Sequence, residues 1–389
     1  MTITDERPEV DVAALCAHLA GTPRERLLPG AADTLLDVAE TPAGAAALLT
    51  HLATAMGVAS ERLDRAVERW QRDRSDAAAA ALNAASESPR QAVLRALTTA
   101  DDGPYRLVRL RSRLLQLKPG QPELAVVDED FLHLFRSWFT PGFLQLREVS
   151  WSSSGTLLQE VAAHESVHPI QGWSDLRSRL EPADRTCFAL VHPAMGERPL
   201  VFVEVALADR LHTDMDFLED ASAARAAAPH PTAATFYSIN TTYAGLRGIP
   251  LGHDLLKQAV AHLRSTTAIT TFGTLSPVPG FRAWAEERAA RDPTTAAVVA
   301  EAAQASADGS VDPGADGLAD RLARLARSYL AETDGGRPRD RVARFHLGNG
   351  ARLAAVHWPA GRSPHLIEQS FGLMVTYLYA SPTTHQESP

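Results

Sequence analysis

The feature that most constrains this chain is a change in the spacing of its apolar residues near residue 140. Between Val10 and about Phe131, apolar residues recur every three or four positions in segments rich in alanine, leucine and arginine. That spacing is typical of amphipathic helices, and alanine has the strongest helix propensity. After Pro141 and Gly142, short β-branched or aromatic runs alternate with helical segments. The pattern predicts an all-helical N-terminal domain followed by an α/β or α+β domain.

The second region contains seven predicted strands and five predicted helices. The strands are 186–192, 200–207, 235–240, 269–275, 342–347, 353–358 and 373–379. The helices are 157–163, 173–180, 251–263, 281–303 and 317–330. Such an alternation predicts helices packed against a mixed sheet.

We predict two domains, which is consistent with a length of 389 residues. The boundary is expected near residue 145, with a helical domain over 1–145 and a second domain over 146–380. Within the second domain, a helical insertion is expected at about 281–333. The glycine- and aspartate-rich stretch 308–317 predicts a loop, and 381–389 is expected to form a disordered tail.

Composition excludes several classes of protein. A formal charge of −9 and a pI near 5.9 argue against a nucleic-acid partner. No stretch approaches the roughly 18 uncharged apolar residues that predict a membrane span. The only cysteines are Cys16 and Cys187, too few for a disulfide framework. The N-terminal sequence lacks the pattern of a secretion or transit signal, so we expect a cytoplasmic protein.

One short motif matches the His-Glu-x-x-His pattern of zinc proteases, at His164, Glu165 and His168. Those enzymes need both imidazoles on one helical face. Here Pro169 follows the second histidine and disfavours helical geometry there. We therefore expect a helix terminus with polar caps, and a zinc hydrolase is the more remote alternative.

A second motif is a glycine-rich segment between a predicted strand and the predicted helix that begins at Leu251. Gly245, Gly248 and Gly252 would let the backbone approach a ligand closely. The free N–H groups at the start of a helix favour an anion such as a pyrophosphate, and Arg247 adds a positive charge. The same spacing is equally typical of a tight strand-to-helix turn.

Two further residues carry reactive groups. Ser276 follows a predicted strand and is followed by Pro277 and Pro279, which restrict the backbone, so its hydroxyl is expected to be held rigidly. His346 lies in a predicted strand that leads into an Asn349-Gly350 hairpin signal. Taken alone, each is compatible with a structural role.

Taken in order, these segments resemble the malonyl-CoA decarboxylase family over most of residues 131–379. The resemblance is carried by six stretches: ESVHPIQGWSDLRSRL, HPAMGERPLVFVEVAL, FYSINTTYAGLRGIPLG, TLSPVPGF, FHLGNGARL and FGLMVTYLY. It implies a helical N-terminal domain used in oligomer contacts and a catalytic domain of the GNAT acyltransferase type. The implied fold class is therefore α+β.

The resemblance also implies a set of site residues. The active-site serine and histidine fall on Ser276 and His346. The coenzyme A loop falls on Arg247, Gly248, Ile249, Pro250, Leu251, Gly252 and His253. The chain departs from the family pattern at Tyr243, Ala244, Pro250 and His253.

The implied reaction is decarboxylation of malonyl-CoA to acetyl-CoA and CO2 in fatty acid metabolism. The thioester delocalises the charge of the resulting enolate, so we expect no cofactor and no metal, and coenzyme A enters only as part of the substrate. His346 would protonate carbon two, a step that calls for a donor of near-neutral pKa. Ser276 would orient the carboxylate or relay a proton. The alternatives are a decarboxylase or acyltransferase acting on an acyl carrier protein, and a coenzyme A-binding scaffold without activity.

Overall fold

The computed structural model describes residues 10–23, 26–219, 230–308 and 317–379. The chain divides into two compact units. The first comprises Met1–Gln145, Val191–Leu200 and Thr241–Pro250, and the second comprises Leu146–Leu190, Val201–Asn240 and Leu251–Pro389. Two short segments that follow residue 190 in the sequence therefore belong to the first unit. The predicted two-domain partition at residue 145 stays a prediction.

The first unit is built on helices, as the spacing of its apolar residues predicts. The helices are α1 Val12–Gly21, α2 Ala31–Ala39, α3 Pro42–Thr54, α4 Ser60–Arg72, α5 Asp76–Ser86, α6 Pro89–Leu97, α7 Gly103–Leu117 and α8 Ala125–Trp138. The side chains of Asp11, Thr41 and Ser75 accept backbone N–H groups at three of the helix starts. Leucines such as Leu48 and Leu107 are fully buried, so the apolar stripes of these helices form the core.

The second unit combines helices with a mixed sheet. Its helices are α9 Gly155–His164, α10 Trp173–Leu180, α11 Asp216–Glu219, α12 Leu251–Thr266, α13 Phe281–Ala289, α14 Pro293–Asp308, α15 Leu318–Ala331, α16 Arg341–Gly348 and α17 Pro364–Ser370. The strands of the chain are β1 Gln145–Val149, β2 Arg185–Val191, β3 Pro199–Ala208, β4 Ala233–Thr241, β5 Thr271–Thr274, β6 Ser276–Pro277, β7 Thr333–Asp334, β8 Arg337–Pro338, β9 Ala351–His357 and β10 Met374–Tyr379. Helices with a mixed sheet, after an N-terminal helical region, confirm the α+β class.

The strand order of the large sheet is β1-β2-β3-β4-β5-β10-β6, and β9 also pairs with β10. β4 and β5 are parallel, whereas β10 is antiparallel to β5, β6 and β9. Among the described residues, no helix has the length and apolar character needed to cross a bilayer.

The pairing of β4 with β5 ends just before Ser276, the predicted active-site serine. Their register runs from Ala233 opposite Thr271 to Phe236 opposite Thr274. The next residue, Leu275, still donates its N–H to Phe236 O at 3.0 Å. Ser276 then pairs with Val375 of β10. β10 already pairs with β5 at Gly273, opposite Leu378, so the chain leaves β4 at this point and stays beside β10.

Six of the seven predicted strands are confirmed to within two residues, but the strand at 342–347 is wrong. This segment is helix α16, because the Asp340 side chain accepts the N–H of Ala343 at 2.7 Å and caps a helix. The Asn349-Gly350 pair ends that helix, with Gly350 in the left-handed region at φ +79°, instead of turning a hairpin.

The single helix predicted at 281–303 is also wrong in one respect, because it is two helices, α13 and α14. Asp292 accepts the N–H groups of Thr294 and Thr295, and Pro293 opens α14. The predicted loop at 308–317 lies almost wholly outside the described residues, and the predicted tail at 381–389 lies entirely outside them.

Candidate active site

Ser276 and His346 lie in contact although 70 residues separate them in sequence. Ser276 opens β6, His346 lies on α16, and both side chains are buried. Ser276 Oγ is 3.1 Å from His346 Nε2, which is hydrogen-bonding distance. The imidazole stacks on the ring of Tyr377, with centroids 4.6 Å apart and an interplanar angle of 23°. β10 therefore supplies both the strand beside Ser276 and the ring that supports His346.

Two further hydroxyl groups extend the contact into a chain of four side chains. His346 Nδ1 is 2.8 Å from Tyr379 Oη. At the other end, Ser276 Oγ donates to Thr274 Oγ1 at 3.0 Å. Thr274 Oγ1 also accepts the N–H of Tyr377 at 3.3 Å, which ties this end to β10. The chain Tyr379, His346, Ser276 and Thr274 can pass a proton by small hydrogen shifts, because each neighbouring pair is already hydrogen-bonded.

Sequence reasoning missed Thr274 and Tyr379. Both lie inside stretches that carry the family resemblance, TLSPVPGF and FGLMVTYLY. However, a single hydroxyl in an apolar strand gives no spacing signal. Their importance becomes visible only when the strand order places β10 beside β5 and β6.

Burial determines the protonation state of this group. Desolvation lowers the pKa of His346 to about 3. The same cause raises the pKa of the Tyr379 hydroxyl. At neutral pH the imidazole is therefore uncharged and the phenol keeps its proton. The near-neutral pKa that sequence reasoning asks of the proton donor does not match the buried environment of His346.

The first part of the predicted coenzyme A loop belongs to the first unit. It follows a 3-10 turn at Ala244–Leu246. Gly248 has φ +89°, a conformation that disfavours residues with a Cβ atom, and a Cβ there would lie 3.1 Å from Leu132. Glycine is required at this position by backbone conformation. Ile249, the next residue, is buried.

The second part of the predicted loop begins α12 in the second unit. A Cβ on Gly252 would lie 3.0 Å from the ring of Phe345, the residue before His346. The first turn of α12 therefore packs closely against α16. Leu251 is buried, and the first N–H groups of the helix lack intrahelical partners, as at any helix start. The sequence predicts that Gly252 lets the backbone approach a ligand closely. In the structure the backbone at Gly252 lies close to the side chain of Phe345.

The His-Glu-x-x-His segment does not form a helical metal motif. Helix α9 ends at His164, so the two histidines do not share a helical face. Glu165 is buried and accepts the N–H groups of Val167 and His168. Its other oxygen accepts hydrogen bonds from two side chains of β4, Ser238 and Asn240. Within the described ranges, no cluster of three or more His, Cys, Asp or Glu side chains is arranged to hold a metal ion.

Comparison with family models covers both parts of the chain. The model "Malonyl-CoA decarboxylase C-terminal domain" matches residues 142–387. The model "Malonyl-CoA decarboxylase N-terminal domain" matches residues 56–139.

Curated proteins of similar sequence are also named malonyl-CoA decarboxylase. The mitochondrial malonyl-CoA decarboxylase of Anser anser anser is 30% identical over 338 residues, which cover 77% of this chain and 66% of the relative. The corresponding protein of Rattus norvegicus is 31% identical over 319 residues, covering 73% of this chain and 64% of the relative. The chain thus spans slightly less than two thirds of the length of these relatives.

Solved structures match over nearly the whole chain. The malonyl-CoA decarboxylase from Agrobacterium vitis has a TM-score of 0.85 and 38% identity, covering 96% of this chain and 93% of that one. The malonyl-CoA decarboxylase from Rhodopseudomonas palustris has a TM-score of 0.79 and 37% identity, covering 95% and 93%.

Proposed function

The chain belongs to the malonyl-CoA decarboxylase family, and on that premise we propose that it converts malonyl-CoA to acetyl-CoA and CO2. The observation that supports this proposal most is the buried chain of hydrogen bonds through Ser276 and His346. These are the two residues that the family resemblance assigns to the active site. No further cofactor is needed in this proposal, because the substrate thioester itself delocalises the negative charge.

The first step of the proposed reaction breaks a carbon–carbon bond. Malonyl-CoA is already a carboxylate at neutral pH, so the protein need only align the breaking bond with the π system of the thioester. Departure of CO2 leaves an enolate with its charge on the thioester oxygen and on carbon two. Ser276 is the group we assign to the carboxylate, because its Oγ can donate a hydrogen bond and its backbone is fixed by pairing with β10.

The second step protonates carbon two. Because a thioester enolate is a much stronger base than an alkoxide, a neutral N–H or O–H group can protonate it. Both ring nitrogens of His346 already contact hydroxyl groups, so we propose that the imidazole acts through Ser276. The Ser276 hydroxyl gives its proton to carbon two and regains one from Nε2. Tyr379 then gives its proton to Nδ1, which restores a neutral imidazole with its proton on the other nitrogen. After the product leaves, transfer of that ring proton from Nδ1 to Nε2 through water resets the relay.

The balance of the reaction requires one proton from water in each turnover, because a carboxylate becomes CO2 and a C–H bond. Tyr379 is the group we assign to this uptake. It lines a cavity of about 300 Å³ together with Thr270, Thr271, Phe272, Gly350, Arg352 and Leu378. Water in that cavity would reprotonate the phenol after each cycle.

Replacing Tyr379 with phenylalanine should lower kcat on the order of 10-fold and leave KM for malonyl-CoA nearly unchanged, because the relay loses its outer hydroxyl. Tyr377→Phe is the matched control. The Tyr377 hydroxyl is buried and has no hydrogen-bond partner in the described part of the chain, whereas its ring stacks on His346. Steady-state kinetics would contradict the relay if both variants lost the same activity.

The pH dependence of kcat follows from the low pKa of His346. In the proposed cycle the neutral imidazole is the active form, so activity is lost only as pH falls toward about 3. We expect kcat to stay level from about pH 5 to pH 8. A histidine acting as a cationic acid of ordinary pKa would instead give a rate that falls as pH rises through about 6.5. That second profile, measured at saturating malonyl-CoA, would contradict the assignment.

For the coenzyme A moiety we propose the loop at residues 247–253. Arg247 contributes a positive charge, and the N–H groups of Gly248 and of the start of α12 are suited to phosphate oxygens. The N–H groups of Arg247 and Ile249 already donate to Ala244 O and Leu246 O. Assembly through the helical unit and a cytoplasmic location also stay predictions.

An acyl carrier protein substrate is the main alternative to malonyl-CoA. Supplying the protein with malonyl-CoA and with a malonylated carrier protein at equal concentration, and following both by mass spectrometry, separates the two. We expect acetyl-CoA to form with the higher kcat/KM. Faster loss of CO2 from the carrier protein would favour the alternative, and binding of coenzyme A without turnover of either substrate would favour the scaffold.

A further inference from the structure

The turn that precedes and shapes the predicted coenzyme A loop is held by one buried arginine of helix α7. Arg111 is almost fully buried, and its Nη1 donates to Gly245 O at 2.5 Å and to Arg247 O at 2.8 Å. All three residues belong to the first unit. Two carbonyl groups at the entrance of the loop therefore converge on one guanidinium nitrogen, which has two N–H bonds to donate.

These two hydrogen bonds orient the peptide groups of the loop. In a trans peptide the C=O and the following N–H point in opposite directions. Because Arg247 O points to Arg111, the N–H of Gly248 points away from it. Gly248 itself has the left-handed backbone conformation described above, with φ +89°. Arg111 thereby determines the direction in which the loop can present a donor to an anion.

A second helix residue fixes the same turn. Gly245 N–H donates to Ser112 Oγ at 2.8 Å, and that hydroxyl donates in turn to Val108 O at 3.0 Å. A Cβ on Gly245 would lie only 1.9 Å from Val108 O, so the turn rests directly on α7. The need for glycine at 245 thus comes from packing against a helix.

Arg111 is itself held in place by a charged side chain, the carboxylate of Asp128. Asp128 of α8 accepts from Arg111 Nε at 2.9 Å, and its other oxygen accepts from Lys118 Nζ at 2.7 Å. The carboxylate compensates the buried guanidinium, which would otherwise be costly to desolvate. Because Asp128 accepts from Nε, the Nη1 group of Arg111 remains available to the two loop carbonyl groups.

We infer that Arg111 and Ser112 are positioning residues for coenzyme A, acting through the backbone of the loop at residues 247–250. The inference rests on the proposed function, because it assumes that this loop holds the coenzyme. It gives the helical unit a role in substrate affinity, in addition to the oligomer contacts that the family resemblance implies.

Arg111→Lys tests the inference, because lysine keeps the charge but has a single nitrogen, which cannot replace both Nε at Asp128 and Nη1 at the two carbonyl groups. We expect the Kd for coenzyme A, measured by calorimetry on the full chain, to rise roughly 10-fold. KM for malonyl-CoA should rise in parallel, while kcat at saturation stays within about two-fold of the wild type. Ser112→Ala removes the hydrogen bond to Gly245 N–H, and the one to Val108 O, without disturbing an ion pair, and a smaller change in the same direction is expected.

The matched control is Arg106→Lys. Arg106 is also on α7 and is mostly buried, but it pairs with Asp33 and Asp37. The control should leave both Kd and kcat unchanged. Unchanged Kd in Arg111→Lys and Ser112→Ala, or an equal loss of affinity and kcat, would overturn the inference. A wild-type protein that binds no coenzyme A would instead overturn the proposed function, so the two failures are distinguishable.

Discussion

Replacing His346 with alanine is expected to lower kcat for malonyl-CoA about 10²–10⁴-fold, because the relay loses the group that joins its two hydroxyl ends. The affinity for free coenzyme A should stay nearly unchanged. The buried imidazole contacts Ser276, Tyr379 and the ring of Tyr377, and none of these is assigned to the coenzyme. Steady-state kinetics and calorimetry on the same preparation measure the two quantities.

His357→Ala is the control for loss of a partly buried histidine. His357 lies on β9, and its Nε2 is 2.8 Å from Thr376 Oγ1. Burial also lowers the pKa of His357. We expect this variant to keep nearly full kcat. Near-normal turnover by His346→Ala, or equal losses in the two variants, would contradict the role of His346.

Replacing Ser276 with alanine is expected to lower kcat for malonyl-CoA about 10²-fold or more, because the hydroxyl is assigned both to the carboxylate and to the proton. Binding of acetyl-CoA, which has no carboxylate, should hardly change. Ser370→Ala is the matched control, since Ser370 is fully buried and its Oγ donates to Leu366 O and Leu373 O. Comparable loss of acetyl-CoA binding in Ser276→Ala would indicate a folding defect instead.

The double variant of Ser276 and His346 tests whether the two residues act as a unit. In a relay, removing the second member costs little once the first has been removed. We therefore expect the double variant to be about as slow as the slower single variant. Losses that multiply would indicate two independent contributions and contradict the relay.

The sequence predicts the elements of the fold well where the apolar pattern has one interpretation. Helix α10 has apolar residues at helical spacing, whereas β2 and β3 are nearly continuous apolar runs that are buried on both faces. The predicted bounds of all three agree with the structure to within one residue. The strand prediction before Asn349 is wrong, because an Asn-Gly pair ends helices as readily as it turns hairpins. Recognising Asp340 as a helix cap would have decided between them.

The candidate site was only half predictable. Ser276 and His346 follow from the family resemblance, but their contact depends on β10 pairing with β6, a long-range event that local spacing does not encode. Tyr379 and Thr274 join them through single hydroxyl groups in apolar strands. The role of Arg111 does not follow from the sequence, because an arginine in an amphipathic helix is usually exposed. Its burial is explained by its partners, the Asp128 carboxylate and the carbonyl groups of Gly245 and Arg247.

Incubation with malonyl-CoA in deuterium oxide, without added metal or ATP, tests the central proposal most directly. The proposed reaction predicts one CO2 and one acetyl-CoA for each malonyl-CoA consumed. It also predicts that each acetyl group carries one deuterium, because the proton on carbon two comes from solvent through the relay. Mass spectrometry of the products would contradict the proposal if malonyl-CoA remained intact, or if it were hydrolysed to malonate and free coenzyme A.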